Sequence, residues 1–243
     1  LGTAVFLISG NHDSAERLAF GSSLMRESRV FCAPVYDGNI TSVCLEDSWG
    51  EVWIHLLPFL RPAAVRHVYE NEPADTCEEA VATALSHLNP DPEKRNVLAA
   101  HQFVTGAALS ESEELAVGGL DQISAELFDP FDYVALGHIH SPQQVGRETI
   151  RYCGTPLKYS FSEAGQQKSV TVVILREKGN IQIRTVPLKP LHDMRKLRGT
   201  YLEVTAKSFY EQFNREDYVQ ITLTDEEDLS LIHISEPTRL QLI

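Results

Sequence analysis

The four cysteines of this chain, Cys32, Cys44, Cys77 and Cys153, show no Cys-x-x-Cys spacing, which argues against a zinc site or a disulfide framework. Each lies in or beside an apolar segment, so all four are expected to be buried free thiols, in keeping with a reducing cytoplasm. The apolar amino-terminal stretch lacks a basic leader and is too short to span a bilayer, so neither a signal peptide nor a membrane anchor is expected. Positive charge is scarce as well. The 21 Lys and Arg stand against 34 Asp and Glu, a net charge of −13, which argues against binding nucleic acid through overall charge. A nuclease stays open, because bound metals and local basic loops can attract phosphate. There is no initiator methionine and no internal repeat, and the chain begins almost in mid-strand, so it is expected to be truncated at its front.

What is present fits a globular α/β protein. At 243 residues, 43% hydrophobic and 23% charged, the chain can hold one good-sized domain and part of another. The run Thr3–Ser9, rich in β-branched and apolar residues, reads as a buried strand closed by the polar turn Gly10-Asn11-His12-Asp13. A helix is expected over Ser14–Met25, with Asp13 or Ser14 as its N-cap and its positive end toward the turn. Further strands are expected at Val30–Val35, Glu51–Phe59, Asn96–Phe103, Asp132–Leu136, Thr149–Cys153, Ser169–Leu175 and Asn180–Val186. The last two are joined by a hairpin turn at Arg176-Glu177-Lys178-Gly179. A helix is expected over Thr76–Leu88, another after Pro62, and a short helical piece at Ser124–Phe128. Ser110–Gly119 reads as an exposed acidic loop. Pro187 and Pro190 mark a boundary, after which Tyr201–Thr205 and Tyr218–Thr224 begin a second unit. From Leu229 onward the sequence resembles a translated sequencing adapter, so His233 is not counted as a ligand.

Three clusters carry metal-ligand chemistry, each at the end of an apolar run: Asn11 with His12, then His101, then Gly137-His138-Ile139-His140. Ligands collect beyond the carboxyl ends of strands in α/β sheets. If His138 and His140 follow a strand, a two-residue step lets both rings face the same way. Two imidazoles from one turn, with Asn11 and His101 from neighbouring strand ends, can form a dinuclear site for phosphoryl displacement. His12 suits a proton donor at the leaving oxygen, since its ordinary pKa lies near neutral pH. The remaining histidines His55, His67, His87 and His192 read as surface or satisfied core residues, and Asp13 as a helix cap.

These clusters, in this order, resemble the calcineurin-like metallophosphoesterases, and within them the bacterial SbcD-type subunit of a double-strand-break repair nuclease. The segments carrying the resemblance are Gly10-Asn11-His12-Asp13-Ser14, Ala100-His101-Gln102-Phe103, Tyr133-Val134-Ala135-Leu136-Gly137-His138-Ile139-His140 and Tyr152-Cys153-Gly154-Thr155-Pro156-Leu157-Lys158-Tyr159-Ser160-Phe161-Ser162-Glu163. The resemblance extends over residues 1 to about 228. It implies an α/β metallophosphoesterase β-sandwich flanked by helices in four layers over 1–189 and the start of a small α+β capping domain over 190–228, while the adapter likeness marks 229–243 as non-native sequence. It implies two divalent metal ions, Mn2+, held by Asn11, His101, His138 and His140, with His12 catalytic. Thr155, Lys158 and Tyr159 are implied as contacts to DNA at the rim of the site. It further implies a DNA exonuclease and endonuclease, opening hairpins and nicking single strands, in repair, recombination and replication. The implied partner is an SbcC-type ATPase, in a heterotetramer containing a homodimer of this chain.

Two motifs of that family, an Asp-x-His and a Gly-Asp that supplies a bridging aspartate, precede the Gly10 turn and are absent. One metal would keep only His140, the other Asn11, His101 and His138. The chain as written is therefore expected to bind metal weakly and to cleave poorly. Alternatives are a phosphomonoesterase or cyclic-nucleotide phosphodiesterase of the same superfamily, or a non-catalytic module that docks on the ATPase.

Overall fold

A computed structural model describes residues 2–109 and 121–225. The acidic loop expected at Ser110–Gly119, the end of the 190–228 segment and the adapter-like residues from Leu229 lie outside that range. The chain divides into two compact units, one of residues 1–157 and 167–188, the other of 158–166 and 189–243.

The first unit is mixed α/β around a multi-strand sheet. Its strands are β1 (Val5–Ile8), β2 (Val30–Ala33), β3 (Thr41–Asp47), β4 (Gly50–Leu57), β5 (Arg95–His101), β6 (Phe103–Val104), β7 (Gln122–Ile123), β8 (Tyr133–Gly137), β9 (Gln143–Val145), β10 (Arg147–Tyr152), β11 (Ser169–Leu175) and β12 (Ile181–Pro187). Six of them form the central sheet in the order β3-β4-β5-β8-β10-β9. Its four middle strands run parallel and the two edges antiparallel. Middle strands flanked on both sides need apolar residues over most of their length, which is why their segments read as near-continuous hydrophobic runs. β1 and β2 form a separate parallel pair. The Ser9 hydroxyl donates to the Pro34 carbonyl at 2.6 Å, and the Phe59 amide donates to the Ser9 carbonyl at 2.9 Å, tying that pair to the end of β4.

Helices α3 (Pro62–Val68) and α4 (Cys77–Ser86) cover one face of the sheet. Val65, Ala80, Val81 and Ala84 pack there with Leu57, Leu98, Val134 and Ile150, all nearly or wholly buried. Proline at the first position starts α3, where the missing N–H is not needed. A capping box between Thr76 and Glu79 starts α4.

The single helix expected over Ser14–Met25 is instead two pieces, α1 (Ala15–Ala19) and α2 (Ser22–Glu27). Gly21, with φ of +87°, turns the chain between them in a left-handed conformation that other residues resist. With only five residues, α1 does not carry the axial dipole that the expected helix would bring to the turn. Asp13 is not its cap: Ser14 holds that position without a side-chain bond, while the Asp13 carboxylate accepts from the Gly10 amide at 2.6 Å. All four cysteines are free, but only Cys77 is buried: Cys32 and Cys153 are half-buried, and Cys44 is exposed because β3 is an edge strand whose alternate side chains face outward.

The hairpin of β11 and β12 turns at Arg176–Gly179, where Gly179 takes a φ of +84°. Arg95 donates to the Arg176 carbonyl at 2.9 Å and Lys178 to Asp132 at 2.8 Å, fixing the turn to the amino ends of β5 and β8. In the second unit, β13 (Met194–Gly199) and β14 (Tyr218–Leu223) pair in parallel, with α5 (Tyr201–Thr205) and α6 (Lys207–Tyr210) in the crossover that parallel pairing demands. Among the described residues, no helix is long and apolar enough to cross a membrane.

Candidate metal centre

Three of the sequence-derived candidates meet. Asn11 follows β1, His101 is the last residue of β5, and His138 comes one residue after β8 ends at Gly137. The register sets His101 directly beside Gly137. His101 Nε2 lies 2.9 Å from Asn11 Oδ1, and the His101 and His138 ring centroids are 5.3 Å apart.

Glycine on both sides makes room for the His101 ring. A Cβ at Gly10 would stand 2.6 Å from its Cε1, and one at Gly137 would stand 2.7 Å from its Nδ1. Burial pushes the His101 pKa down to about 4, helped by the charge His138 and His12 would carry and opposed by Asp13. His101 is thus an unprotonated imidazole at neutral pH, the form that ligates metals.

His138 leaves the strand with φ of +102°, the left-handed region that a histidine enters only when its surroundings hold it there. Its ring stacks on Phe59 at 6.4 Å with a 9° tilt and lies 6.0 Å from Phe103. The strand alternation expected to face His138 and His140 the same way does not operate, because β8 has already ended. The backbone of His140 is held instead. Its carbonyl accepts from the Thr155 amide at 3.0 Å and from Lys168 Nζ at 2.9 Å. Gly154, with φ of +77°, lets the chain pass that carbonyl where a Cβ would come within 2.6 Å of it.

The DNA-contact candidates are placed as follows. Thr155 Oγ1 donates to the Leu157 carbonyl at 2.8 Å and lies 3.0 Å from Lys168 Nζ. Lys158 belongs to the second unit, where its Nζ donates to the Ala164 carbonyl at 2.7 Å and pairs with Asp193 at 2.8 Å. That pair engages the charge a phosphate contact would need. Tyr159, 63% exposed, presents its ring outward. His12 is exposed on the Gly10 turn.

A cleft of about 540 Å³ opens beside Asn11 and His138, walled by Phe59, Phe103, Arg61 and Arg66. The Arg61 guanidinium lies 5.6 Å from the Phe59 ring centre. Asp121 and Cys77 also line the cleft, with Cys77 Sγ 3.6 Å from Asp121 Oδ1 and its thiol pushed up to about 11 by burial and that carboxylate. Phe59, Arg61 and Arg66 are the site residues that sequence reasoning missed. The Leu-Pro-Phe-Leu-Arg-Pro segment, which follows a strand end as the three histidine clusters do, is a signal for Phe59 and Arg61, whereas Arg66 lies beyond it on α3.

Among the described residues, no three His, Cys, Asp or Glu side chains form a metal-binding group. The third donor here is an amide, that of Asn11. Two imidazoles and an amide oxygen suit one borderline divalent ion. Scanned against protein-family models, the sequence matches none.

Proposed function

We propose that this chain is a metal-dependent DNA nuclease subunit of the SbcD type, acting with an SbcC-type ATPase on double-strand ends, single strands and hairpins. The convergence of Asn11, His101 and His138 beyond three strand ends supports this reading. Asn11 Oδ1 and the two ring nitrogens would hold one divalent cation, Mn2+ by the resemblance, with His140 a ligand of a second. A cation there would supply Lewis-acid stabilisation of charge developing on a phosphoryl group.

The chain's own residues supply the rest. His101 is already the neutral imidazole at neutral pH, the form that ligates. Arg61 places positive charge on the cleft wall, where phosphate oxygens would lie, in a molecule whose net charge is negative, while Arg66 on the same wall is paired with Asp75 at 3.6 Å. Phe59 and Phe103 offer aromatic walls against which an unpaired base can pack. His12, exposed on the turn, can deliver a proton to the leaving oxygen. The four-layer sandwich, a DNA-capping role for the second unit, and assembly as a homodimer within a heterotetramer in the cytoplasm belong to the same proposal.

The test pairs Mn2+ titration by electron paramagnetic resonance with cleavage of a hairpin DNA and of p-nitrophenyl phosphate. Weak Mn2+ binding is expected, lowered at least ~10-fold by His101→Ala and by His138→Ala. Slow Mn2+-dependent opening of the hairpin should exceed hydrolysis of the monoester. Mn2+ binding indifferent to both substitutions, or a preference for the monoester, overturns the reading.

A further inference from the structure

A second cluster of reactive groups lies on the central sheet, built from three adjacent strands and independent of the strand-end site. Ser42 on β3 and His55 on β4 are directly paired across the sheet, and Ser42 Oγ lies 2.8 Å from His55 Nδ1. On the far side of the ring, His55 Nε2 lies 3.1 Å from Asn96 Oδ1 on β5.

The hydrogen-bond pattern fixes the tautomer. Asn96 Nδ2 donates to the carbonyls of Asp91 and Lys94 at 2.8 and 2.9 Å, so the opposite end of the amide is Oδ1, an acceptor only. His55 Nε2 must therefore carry the proton it donates to Oδ1. Its Nδ1 keeps a lone pair, and the Ser42 hydroxyl donates to it. The other acceptor near that hydroxyl, the Ile40 carbonyl, is at 3.3 Å. A hydroxyl aimed at an imidazole lone pair, with the imidazole oriented by a third group, is the arrangement of an activated nucleophile. Cys-His-Asn sites show that a neutral amide serves as the third member.

The surroundings suit this chemistry. His55 is 3% exposed, and burial holds its pKa below the ordinary value, so the base is free at neutral pH. Ser42, by contrast, is exposed. All three residues line a cavity of about 280 Å³ whose apolar walls include Trp53 and Leu88. The charged groups on that cavity are Glu51, Asp91 and Lys94, with Lys94 paired to Glu51 at 3.2 Å. Phe131 packs edge-on against the His55 ring, and Asp132 accepts from the Asn96 backbone N–H behind it.

We propose that Ser42, His55 and Asn96 form a nucleophilic relay that hydrolyses small uncharged carboxylic esters through an acyl-serine. The volume suits a short acyl group, and the mutual pairing of Glu51 and Lys94 favours an uncharged one. Ser42 Oγ bonds to the acyl carbon as the ester C–O bond breaks. The hydroxyl proton moves to His55 Nδ1 and on to the departing alkoxide, which leaves as the alcohol. Water then attacks the acyl carbon, loses a proton to Nδ1, and releases the carboxylic acid as that proton returns to Ser42. Asn96 is a positioning residue that holds the tautomer.

The full chain, treated with p-nitrophenyl acetate, should release p-nitrophenol and carry one acetyl group on the peptide containing Ser42, read by mass spectrometry. Ser42→Ala, at an exposed edge-strand position, should abolish both signals. His55→Gln should slow acetylation by ~100-fold or more. Asn96→Asp should move the acid limb of the pH–rate profile to higher pH, since a carboxylate at Nε2–H favours the imidazolium, a shift that a merely structural role would not produce. Acetylation confined to lysines, or p-nitrophenol release unchanged in Ser42→Ala, overturns the proposal.

Discussion

His101 occupies a slot whose two walls are glycine. At Gly10 and Gly137 any side chain would meet the half-buried imidazole well inside contact distance. Gly10→Ala should cost about 1–3 kcal/mol in urea unfolding, the usual range for overpacking a filled site. The loss should nearly vanish when His101→Ala has already emptied the slot, because the clash is then gone. An equal loss in both backgrounds would place the strain in the backbone instead. The candidate ligands were legible because each ends a long apolar run, a position where strands of α/β sheets deliver functional side chains. Phe59 was overlooked, although its ring centre lies 6.0 Å from that of His101 and 6.4 Å from that of His138. Phe59 reads as the last residue of the expected strand Glu51–Phe59, and its type and spacing do not show that its amide turns back onto the Ser9 carbonyl. The left-handed His138 is likewise a product of tertiary contact, invisible to residue type or spacing.

At the scale of elements, the regular signals were the dependable ones. Ser169–Leu175 has the expected bounds because its β-branched run is answered across the hairpin by β12, strand for strand. β3 and β13 were missed because their sequences, Thr41–Asp47 and Met194–Gly199, interleave polar and charged residues, as strands facing water on one side do. Gly21 cut the expected amino-terminal helix in two, since the apolar spacing continued through it while the backbone did not. α4 is the opposite case, with start signal and structure in agreement. Thr76 Oγ1 accepts from the Glu79 amide at 3.1 Å, and Glu79 Oε2 accepts from the Thr76 amide at 3.1 Å. Thr76→Ala should lower stability by about 1 kcal/mol in urea unfolding, whereas Thr76→Ser should leave it nearly unchanged. A full-size loss in the serine variant would assign the effect to the threonine methyl group rather than to the cap.

Across the whole molecule, the division into units does not follow the order of the chain. Prolines at 187 and 190 signalled one boundary, but residues 158–166 also leave the first unit, and no composition shift marks them. What assigns them is pairing over a long sequence separation: Lys158 to Asp193, and the short helical turn Phe161–Glu163 against β13. Glu163 is fully buried and accepts from the Tyr159 amide, so this segment holds its shape only where water is kept out. A chain ended after Leu188 keeps every strand of the first unit but strips 158–166 of Asp193 and of β13. Hydrogen exchange followed by mass spectrometry should then show residues 158–166 losing at least ~10-fold in protection, the equivalent of about 1.4 kcal/mol. β4, β5 and β8 should exchange as before, because their bonds lie wholly within residues 1–157. Protection of 158–166 that survives the truncation would mean that the segment folds with the first unit, and its tie to Asp193 would be incidental.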